Sequence, residues 1–188
     1  MEAEPAMRRE KILKEIELPE SLSAAIDNNT LVIKSSSNES KRTFNQKNVS
    51  IQIRDKKIIL ESKLGTKEGK KIIGSLTAHI KNMMKGSLQK HIYILKICSG
   101  HFPMNVSANS SKLTVKNFLG EKVPRMLNLK SGADVKIEGD MIYVTSNNKE
   151  TAGQVSADIE QLTRRPGYDN RVFQDGIYIT SKDGKELK

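Results

Sequence analysis

The chain has 188 residues, with 32 Lys and Arg against 22 Asp and Glu and a formal net charge of +10. This basic balance favours an anionic partner, either a nucleic acid or an acidic membrane. The single cysteine excludes an internal disulfide, and no apolar run approaches the roughly 18 residues of a membrane-spanning helix. Mixed charges at the N-terminus predict no signal peptide and a flexible tail over residues 1–10, so we expect a cytoplasmic protein.

The first predicted elements are short strands joined by tight turns. Residues 12–18 read as a strand that Pro19 ends, and the two strands that follow form a hairpin across Asp27-Asn28-Asn29. Asp and Asn tolerate the left-handed backbone geometry that such turns need. A polar loop at residues 35–40 then leads to a short strand at residues 41–45.

A second hairpin and a helix complete the first half of the chain. Apolar residues alternate along residues 49–62 on both sides of the turn Asp55-Lys56-Lys57, which is typical of a sheet with one wet face. Thr66 is the predicted helix N-cap and Gly86 the predicted stop. One apolar stripe recurs at helical spacing along the helix: Ile72, Ile73, Leu76, Ile80 and Met83.

The second half repeats this order of elements. In residues 91–98, apolar side chains occur at both odd-numbered and even-numbered positions. These positions face opposite sides of a strand, so we expect a strand covered on both faces. A hairpin over residues 133–146 turns at Gly139-Asp140. The following helix is predicted to start with a capping box of Asn147 and Glu150 and to end at Pro166-Gly167.

The sequence itself shows the repeat. Moving residues 49–62 by 84 positions superimposes their apolar pattern on residues 133–146, and residues 31–34 match residues 113–116 at an offset of 82. We therefore predict an α+β fold of two tandem duplicated domains, each an antiparallel β-sheet packed with one main α-helix. The predicted domains are residues 11–87 and 88–188.

The chain offers few groups for catalysis. His79, His91 and His101 fall on three different elements and have no cysteine or paired carboxylate beside them in the sequence. Zinc spacing, a phosphate-binding glycine loop and a nucleophile elbow are all absent. We expect a protein that is not an enzyme, with no cofactor, no metal and no small-molecule substrate.

Basic side chains cluster in the loops of both halves. Lys67, Lys70 and Lys71 crowd the predicted start of the first helix, where they oppose the helix dipole and do not favour stability. The second half has two groups, namely Lys112, Lys116, Lys122, Arg125 and Lys130 in a loop-rich stretch and Arg164, Arg165 and Arg171 around the Pro-Gly break. Each charge alone is consistent with a solvated surface, whereas together they suit a surface that binds phosphates.

Phe118 is the aromatic residue that stands among these charges, between Lys116 and Lys122. Its ring has two interpretations, stacking on an RNA base or packing under its own loop. The motifs of the common single-strand RNA modules are absent, so the sequence favours recognition of RNA shape and backbone.

Several motifs follow one another in an order that resembles a known family. Their positions are Gly100-His-Phe-Pro-Met104, Lys116-Asn-Phe-Leu-Gly-Glu-Lys122, Glu138-Gly-Asp-Met-Ile-Tyr143 and Phe173-Gln-Asp-Gly-Ile-Tyr178, with His79, Asn82, Met83 and Gly86 upstream. The chain resembles the universal large-subunit ribosomal protein that is sixth in the bacterial naming series and ninth in the eukaryotic one, in its archaeal and eukaryotic cytosolic branch. The match runs from about residue 12 to residue 183.

This resemblance implies a structural constituent of the cytosolic large ribosomal subunit. Its partners would be large-subunit rRNA near the sarcin–ricin region, on the factor-binding side, and neighbouring ribosomal proteins. The C-terminal domain would make most of the rRNA contacts. The residues expected to face RNA include the arginines at the Pro-Gly break. The full set is Lys116, Asn117, Phe118, Gly120, Lys122, Arg125, Arg164, Arg165, Arg171, Gln174 and Tyr178.

Some positions depart from the family pattern. Residues 35–40 replace a turn that is usually rich in Gly and Pro, and Lys90-His91 replaces a Gly-Phe pair. Two other functions stay open at this point. One is a free-standing RNA-binding regulator built on the same fold, and the other is attachment to an anionic membrane, although neither predicted helix has the basic amphipathic face that such attachment needs.

Overall fold

The computed structural model describes residues 11–36, 38–45, 48–63, 65–169 and 171–187. The flexible tail predicted for residues 1–10 lies outside the described residues, as does Ser37 of the predicted polar loop. The chain divides into two compact units, Met1–Leu88 and Gln89–Lys188.

The described part of the first unit contains six strands and one helix: β1 (Ile12–Glu17), β2 (Ser23–Asp27), β3 (Thr30–Lys34), β4 (Glu39–Thr43), β5 (Val49–Arg54), β6 (Lys57–Ser62) and α1 (Lys67–Leu88). The strands form two antiparallel sheets in the orders β1-β6-β5 and β2-β3-β4. Helix α1 packs against both sheets and closes the core of the unit.

The core of the first unit follows from the two apolar periodicities in the sequence. Ile58 and Leu60 point inward from alternate positions of β6, and Ile73, Leu76 and Ile80 face them from successive turns of α1. The predicted N-cap is present, since the Thr66 hydroxyl accepts a hydrogen bond from the Gly69 amide at 3.1 Å. The side-chain alternation of a strand and the helical repeat thus bury one face of each element.

The predicted end of α1 at Gly86 is wrong, because the helix continues to Leu88 and Gly86 lies buried within it. The last turn packs against the sheet, where the buried Ser87 hydroxyl donates to the carbonyl of Ile33 at 3.5 Å. Such packing outweighs the weak tendency of a single glycine to end a helix.

The described part of the second unit contains eight strands and one α-helix: β7 (His91–Cys98), β8 (Asn105–Ala108), β9 (Lys112–Lys116), β10 (Arg125–Asn128), β11 (Asp134–Glu138), β12 (Met141–Ser146), α2 (Lys149–Leu162), β13 (Gly176–Lys182) and β14 (Lys185–Glu186). A short 3-10 turn covers Phe118–Gly120. One sheet has the order β11-β12-β7-β13-β14 and the other β10-β9-β8. Helix α2 packs against β7, β12, β13 and β10.

Two sequence predictions for the second unit need correction. The N-cap of α2 is Asn148, whose side chain accepts from the Glu150 amide at 3.0 Å, so the capping box predicted on Asn147 is wrong. The helix begins one residue later because the Ser146 hydroxyl accepts from the Asn148 amide. Strand β7 is well buried on only one face, the face that α2 covers, while Ile92 on the other face is exposed.

The two units repeat each other in register as well as in order. Each pair from Ile51–Leu60 to Arg54–Lys57 in the β5–β6 hairpin has a counterpart 84 positions later in β11–β12. The sheets β1-β6-β5 and β2-β3-β4 correspond to β7-β12-β11 and β8-β9-β10. The predicted α+β fold of two tandem duplicated domains is confirmed, and β13 and β14 have no counterpart in the described residues of the first unit.

Candidate nucleic-acid interface

Three loops of the second unit are tied together where β7, β9 and α2 end. Their described residues are 99–104, 117–124, 163–169 and 171–175, and we refer to them together as the loop end. The third of them leads into β13. Most of the residues predicted to face RNA belong to this end of the unit.

Asp175 joins the first and third loops. Its buried carboxylate accepts hydrogen bonds from the backbone amides of Gly100 and His101, and it contacts Nδ1 of the His101 ring at 2.5 Å. Burial acts to raise the pKa of Asp175, but the hydrogen bonds from His101 and Gly100 outweigh it and hold this pKa below its ordinary value. Sequence analysis missed this pair, because its partners lie 74 residues apart.

Asn117 and Gly120 shape the second loop. Asn117 has a left-handed φ of 60° and donates from its side-chain amide to the carbonyl of Pro103 at 3.0 Å, which links this loop to the first. Gly120 has a φ of 76°, and a Cβ placed there would lie 3.6 Å from the ring of Phe102. Asn117 therefore shapes the turn through its left-handed backbone and its hydrogen bond, and Gly120 through its positive φ and its lack of a side chain.

Arg125 joins the second loop to α2. Its Nε and Nη2 groups donate to the Glu121 carboxylate at 2.8 and 2.6 Å, and its Nη1 group donates to the carbonyl of Leu162 at 2.7 Å. The hydrogen bonds from Arg125 lower the pKa of Glu121, against a smaller opposing effect of burial. The guanidinium therefore makes internal contacts with Glu121 and Leu162, and the expectation that Arg125 faces RNA stays a prediction.

The Phe118 ring is 2% exposed and belongs to the core of the second unit. The Arg125 guanidinium lies over it, 4.4 Å from the ring centre. The prediction that Phe118 stacks on an RNA base is therefore wrong in this conformation, and the alternative of packing under its own loop describes the structure.

The other basic residues at this end remain accessible. Lys116, Lys122, Arg164 and Arg171 have exposed side chains. Arg165 is held in place, because its guanidinium lies 4.4 Å from the ring centre of Tyr168 and 3.4 Å from the Glu121 carboxylate. These cations give the loop end an accessible positive surface.

A cleft of about 660 Å³ opens at the loop end, between the last turn of α2 and the segment that leads into β13. It brings together four of the predicted RNA-facing residues, Arg164, Arg165, Gln174 and Tyr178, and Phe118 also contributes to its lining. The remaining predicted residues, Lys116, Asn117, Gly120, Lys122, Arg125 and Arg171, are not part of the lining.

Hydrogen bonds from the last turn of α2 fix one wall of this cleft. The Thr163 hydroxyl accepts from the Ile177 amide at 2.9 Å, and the Glu160 carboxylate accepts from the Ile179 amide at 3.0 Å. Gly176 lies so close to Tyr178 that a Cβ at this position would meet the ring at 3.2 Å. Burial raises the pKa of Tyr178, and the nearby Cys98, Asp175 and Glu160 act in the same direction.

The basic clusters of the first unit have a different setting. Lys57 lies 3.4 Å from the Glu15 carboxylate and 3.7 Å from that of Glu17, and the contact with Glu15 is the main cause of its raised pKa. Lys67, Lys70 and Lys71 are exposed along the start of α1. Over the described ranges, no group of three or more His, Cys, Asp or Glu side chains is placed to hold a metal ion, and no helix is long and apolar enough to cross a membrane.

Comparison with known proteins agrees with the repeated fold. A family model described as ribosomal protein L6 matches residues 18–89 and again residues 102–176. The chain belongs to the ribosomal protein L6 family. The family resemblance noted in the sequence is thereby confirmed, and each half of the match covers one of the two repeated units.

Archaeal members of the L6 family are similar to this chain over nearly its whole length. The large ribosomal subunit protein uL6 of Methanobrevibacter smithii is 41% identical over 172 residues, which make up 92% of this chain and 97% of the relative. The uL6 proteins of Methanococcus vannielii and Methanocella arvoryzae are each 39% identical and cover 94% of this chain, with 97% and 99% of their own lengths matched. Members of the L6 family are structural proteins, and the chain is not an enzyme.

Proposed function

We propose that the chain is a structural constituent of the large ribosomal subunit that binds rRNA through the loop end of its second unit. Family membership supports the assignment to the subunit. The observation that supports the choice of surface is the clustering of basic residues at one end of the unit: Lys122, Arg164, Arg165 and Arg171 on the loops, and Lys116 at the end of β9.

Three acidic residues lie at the described loop end. Asp169 is exposed and lies 3.9 Å from the Arg171 guanidinium, so it offsets part of the positive charge there. The other two have internal partners. Glu121 is engaged by Arg125 and Arg165, and Asp175 by His101 and Gly100, so their hydrogen-bonding capacity is directed inward. Exposed cations next to internally paired carboxylates leave a surface that attracts phosphate. Arginine is suited to the contact because its planar group can bind a phosphate at two points.

In this proposal the chain acts by positioning RNA. The internal bonds of Arg125, Asn117 and Asp175 hold the loops rigid, and the exposed cations neutralise phosphates where RNA segments approach the protein. The two units serve as two domains, residues 11–87 and 88–188, of which the second makes the main rRNA contacts. The sarcin–ricin region of the large subunit, neighbouring ribosomal proteins and a cytoplasmic location follow from the family resemblance and belong to the same proposal.

Sedimentation of a cell lysate through a density gradient tests this function. We expect the chain to migrate with large subunits and polysomes and to remain with them after a high-salt wash. Replacing Lys122, Arg164 and Arg171 together by Gln should release a larger fraction during that wash. Wild-type protein that stays at the top of the gradient would contradict the proposal and favour a free-standing RNA-binding regulator.

A further inference from the structure

The cleft at the loop end has features that a flat phosphate-binding surface does not need. Its volume of about 660 Å³ lies in the range of small-molecule pockets, which is about 300–1,000 Å³. All of its lining residues belong to the second unit, between Cys98 and Tyr178. A concave site of this size can receive a planar group as well as a charge.

Aromatic rings in the cleft remain accessible. Tyr168 is 40% exposed and Tyr178 is 42% exposed, although both line a concave site. Phe173 lies between Tyr168 and the ring of His101, with ring centres 5.0 and 5.1 Å apart, and so fixes the position of this wall. Accessible rings on a rigid wall are the usual means by which proteins stack unpaired bases.

The polar groups of the cleft favour a nucleotide over an apolar ligand. Arg164 and Arg165 place two guanidinium groups at the lining, and Gln161 and Gln174 add amides that can both donate and accept hydrogen bonds. The two carboxylates of the lining have internal partners, since Glu160 accepts from the Ile179 amide and Asp175 from the Gly100 amide. Asp175 is buried whereas Arg164 is exposed, so a ligand that enters the cleft can reach the guanidinium of Arg164 more easily than the carboxylate of Asp175.

We infer that this cleft holds a single unpaired nucleotide of the bound RNA, with its base among the tyrosine rings and its phosphate on the exposed Arg164. This inference rests on the proposed function, because the nucleotide belongs to the RNA that the loop end binds. The loop end would then have two kinds of RNA contact. Its surface binds the RNA backbone, and the cleft binds one unstacked base.

The repeat within the chain explains why only the second unit would have this site. The cleft lies between the last turn of α2, the described residues 163–169 and 171–175 of the loop that follows, and the start of β13. The described residues of the first unit contain no counterpart of β13, and its sheet ends at three strands. The strand added to the second unit thus forms one wall of the proposed nucleotide site.

Cys98 provides a direct probe, since it is the single cysteine of the chain and lines the cleft. The rate at which iodoacetamide alkylates Cys98 in the full chain should fall as adenosine or uridine 5′-monophosphate is added. Ribose 5-phosphate, which has the phosphate but no base, should leave the rate unchanged at the same concentration. Equal protection by ribose 5-phosphate, or no protection by either nucleotide, would overturn the inference.

Tyrosine variants test the stacking part of the inference. Tyr178→Leu should weaken protection by nucleotides by about 5- to 100-fold, the range expected for the loss of one base stack, whereas Tyr178→Phe should retain it. Tyr143→Leu, on β12 away from the cleft, is the matched control and should behave like wild type. Wild-type protection in Tyr178→Leu would overturn the inference, and Tyr168→Leu offers the same test if that variant fails to fold.

The arginine variant tests the phosphate part. Arg164→Gln should weaken protection by adenosine monophosphate while leaving protection by adenosine, which has no phosphate, unchanged. An equal loss for both ligands would overturn the assignment of the phosphate to Arg164. Chains that co-sediment with large subunits but show no nucleotide protection would refute the cleft inference alone, whereas protection in a chain absent from ribosomes would refute the proposed function alone.

Discussion

Arg125 shows how the charge of a residue differs from its role. From the sequence it is one basic residue among several, but its guanidinium bonds Glu121, bonds the Leu162 carbonyl and covers the Phe118 ring. A single side chain thereby joins a loop, a helix end and the core. These contacts give Arg125 a structural role in holding the loop, which its charge alone does not predict.

Arg125→Lys should therefore destabilise the free protein without changing its net charge. Lysine cannot form the paired bonds to Glu121 or stack flat on Phe118, so we expect a loss of about 1–3 kcal/mol in the unfolding of the second unit. Urea denaturation measures this loss. Arg171→Lys is the control, because its side chain is 94% exposed and a change there should stay within about 0.5 kcal/mol. Unchanged stability in Arg125→Lys would contradict this structural role and leave a direct contact of Arg125 with RNA phosphate as the alternative.

Asp175 predicts a dependence of stability on acidity. Its folded pKa lies below the ordinary value of 3.8, with the hydrogen bonds from His101 and Gly100 outweighing burial. A carboxyl with a lowered folded pKa stabilises the fold fully above its ordinary value, and the stabilisation is lost as the pH falls through the folded pKa. The urea midpoint of wild type should thus decrease below a pH of about 4.

Asp175→Asn should remove this part of the acid dependence. The amide keeps one acceptor but carries no charge, so the variant should be less stable at neutral pH and lose less stability on acidification. Urea midpoints at neutral and acidic pH compare the two proteins. Parallel decreases in wild type and variant would show that other carboxyls, such as Glu121, govern the acid response.

At the scale of elements, the repeated hairpins differ in their turns. In β5–β6 the turn residues Asp55 and Lys56 both have positive φ angles, 45° and 61°, as in a type I′ turn. In β11–β12 the first turn residue is Gly139, with a φ of 59°, and Asp140 is not in the positive range, as in a type II′ turn. The positive φ angles thus fall on an aspartate and a lysine in the first copy and on the first turn residue, a glycine, in the second.

The positive φ angles predict opposite effects for substitutions at Lys56 and at Gly139. Lys56→Gly removes the strain of a side chain at positive φ and should stabilise the first unit by about 0.5–1 kcal/mol. Gly139→Lys introduces that strain and should destabilise the second unit by about 1 kcal/mol or more. Urea denaturation measures the change in the free energy of unfolding of each variant. If both variants were stabilised, or both destabilised, the turn assignments would be contradicted.

The hairpins were predictable because their signals are local. Alternating apolar residues and turn-forming residues specify β5–β6 and β11–β12 within about 14 positions, and the offset of 84 follows from the sequence. The end of α1 was missed because Ser87 extends the helix through a contact with Ile33 of β3, far away in the sequence. The N-cap of α2 was missed because the Ser146 hydroxyl, which the Gly132 carbonyl holds in place, accepts from the Asn148 amide. Sequence analysis also assigned no strand at β13, whose burial comes from α2 and β7 far along the chain.

At the scale of the molecule, the duplication was predictable but the difference between the copies was not. Arg164, Arg165, Gln174 and Tyr178 were selected from basic clusters and motifs, and the structure places them around one cleft. Phe118 and Arg125 were selected by the same reasoning, and both proved to be internal. Residue type and spacing cannot separate the two groups, because one of the contacts that hold Arg125 comes from α2, at Leu162.

A comparison of two charge-matched variants decides between a general attraction and a specific surface. The first replaces Lys67, Lys70 and Lys71 of the first unit by Gln, and the second replaces Lys122, Arg164 and Arg171 of the loop end by Gln. Each removes three positive charges from a chain of net charge +10, so nonspecific attraction falls equally in both. Only the second removes cations from the proposed rRNA surface.

The salt dependence of rebinding to large-subunit particles stripped of this protein measures the difference. Each lost phosphate contact should reduce the slope of log affinity against log salt by about 0.7–0.9. If all three contacts are made, the magnitude of this slope should fall by about two to three in the loop-end variant. In the first-unit variant it should fall by less than about one. Equal losses in the two variants would show that total charge governs binding. A larger loss in the first-unit variant would place the main RNA contacts on α1 and overturn the assignment to the second unit.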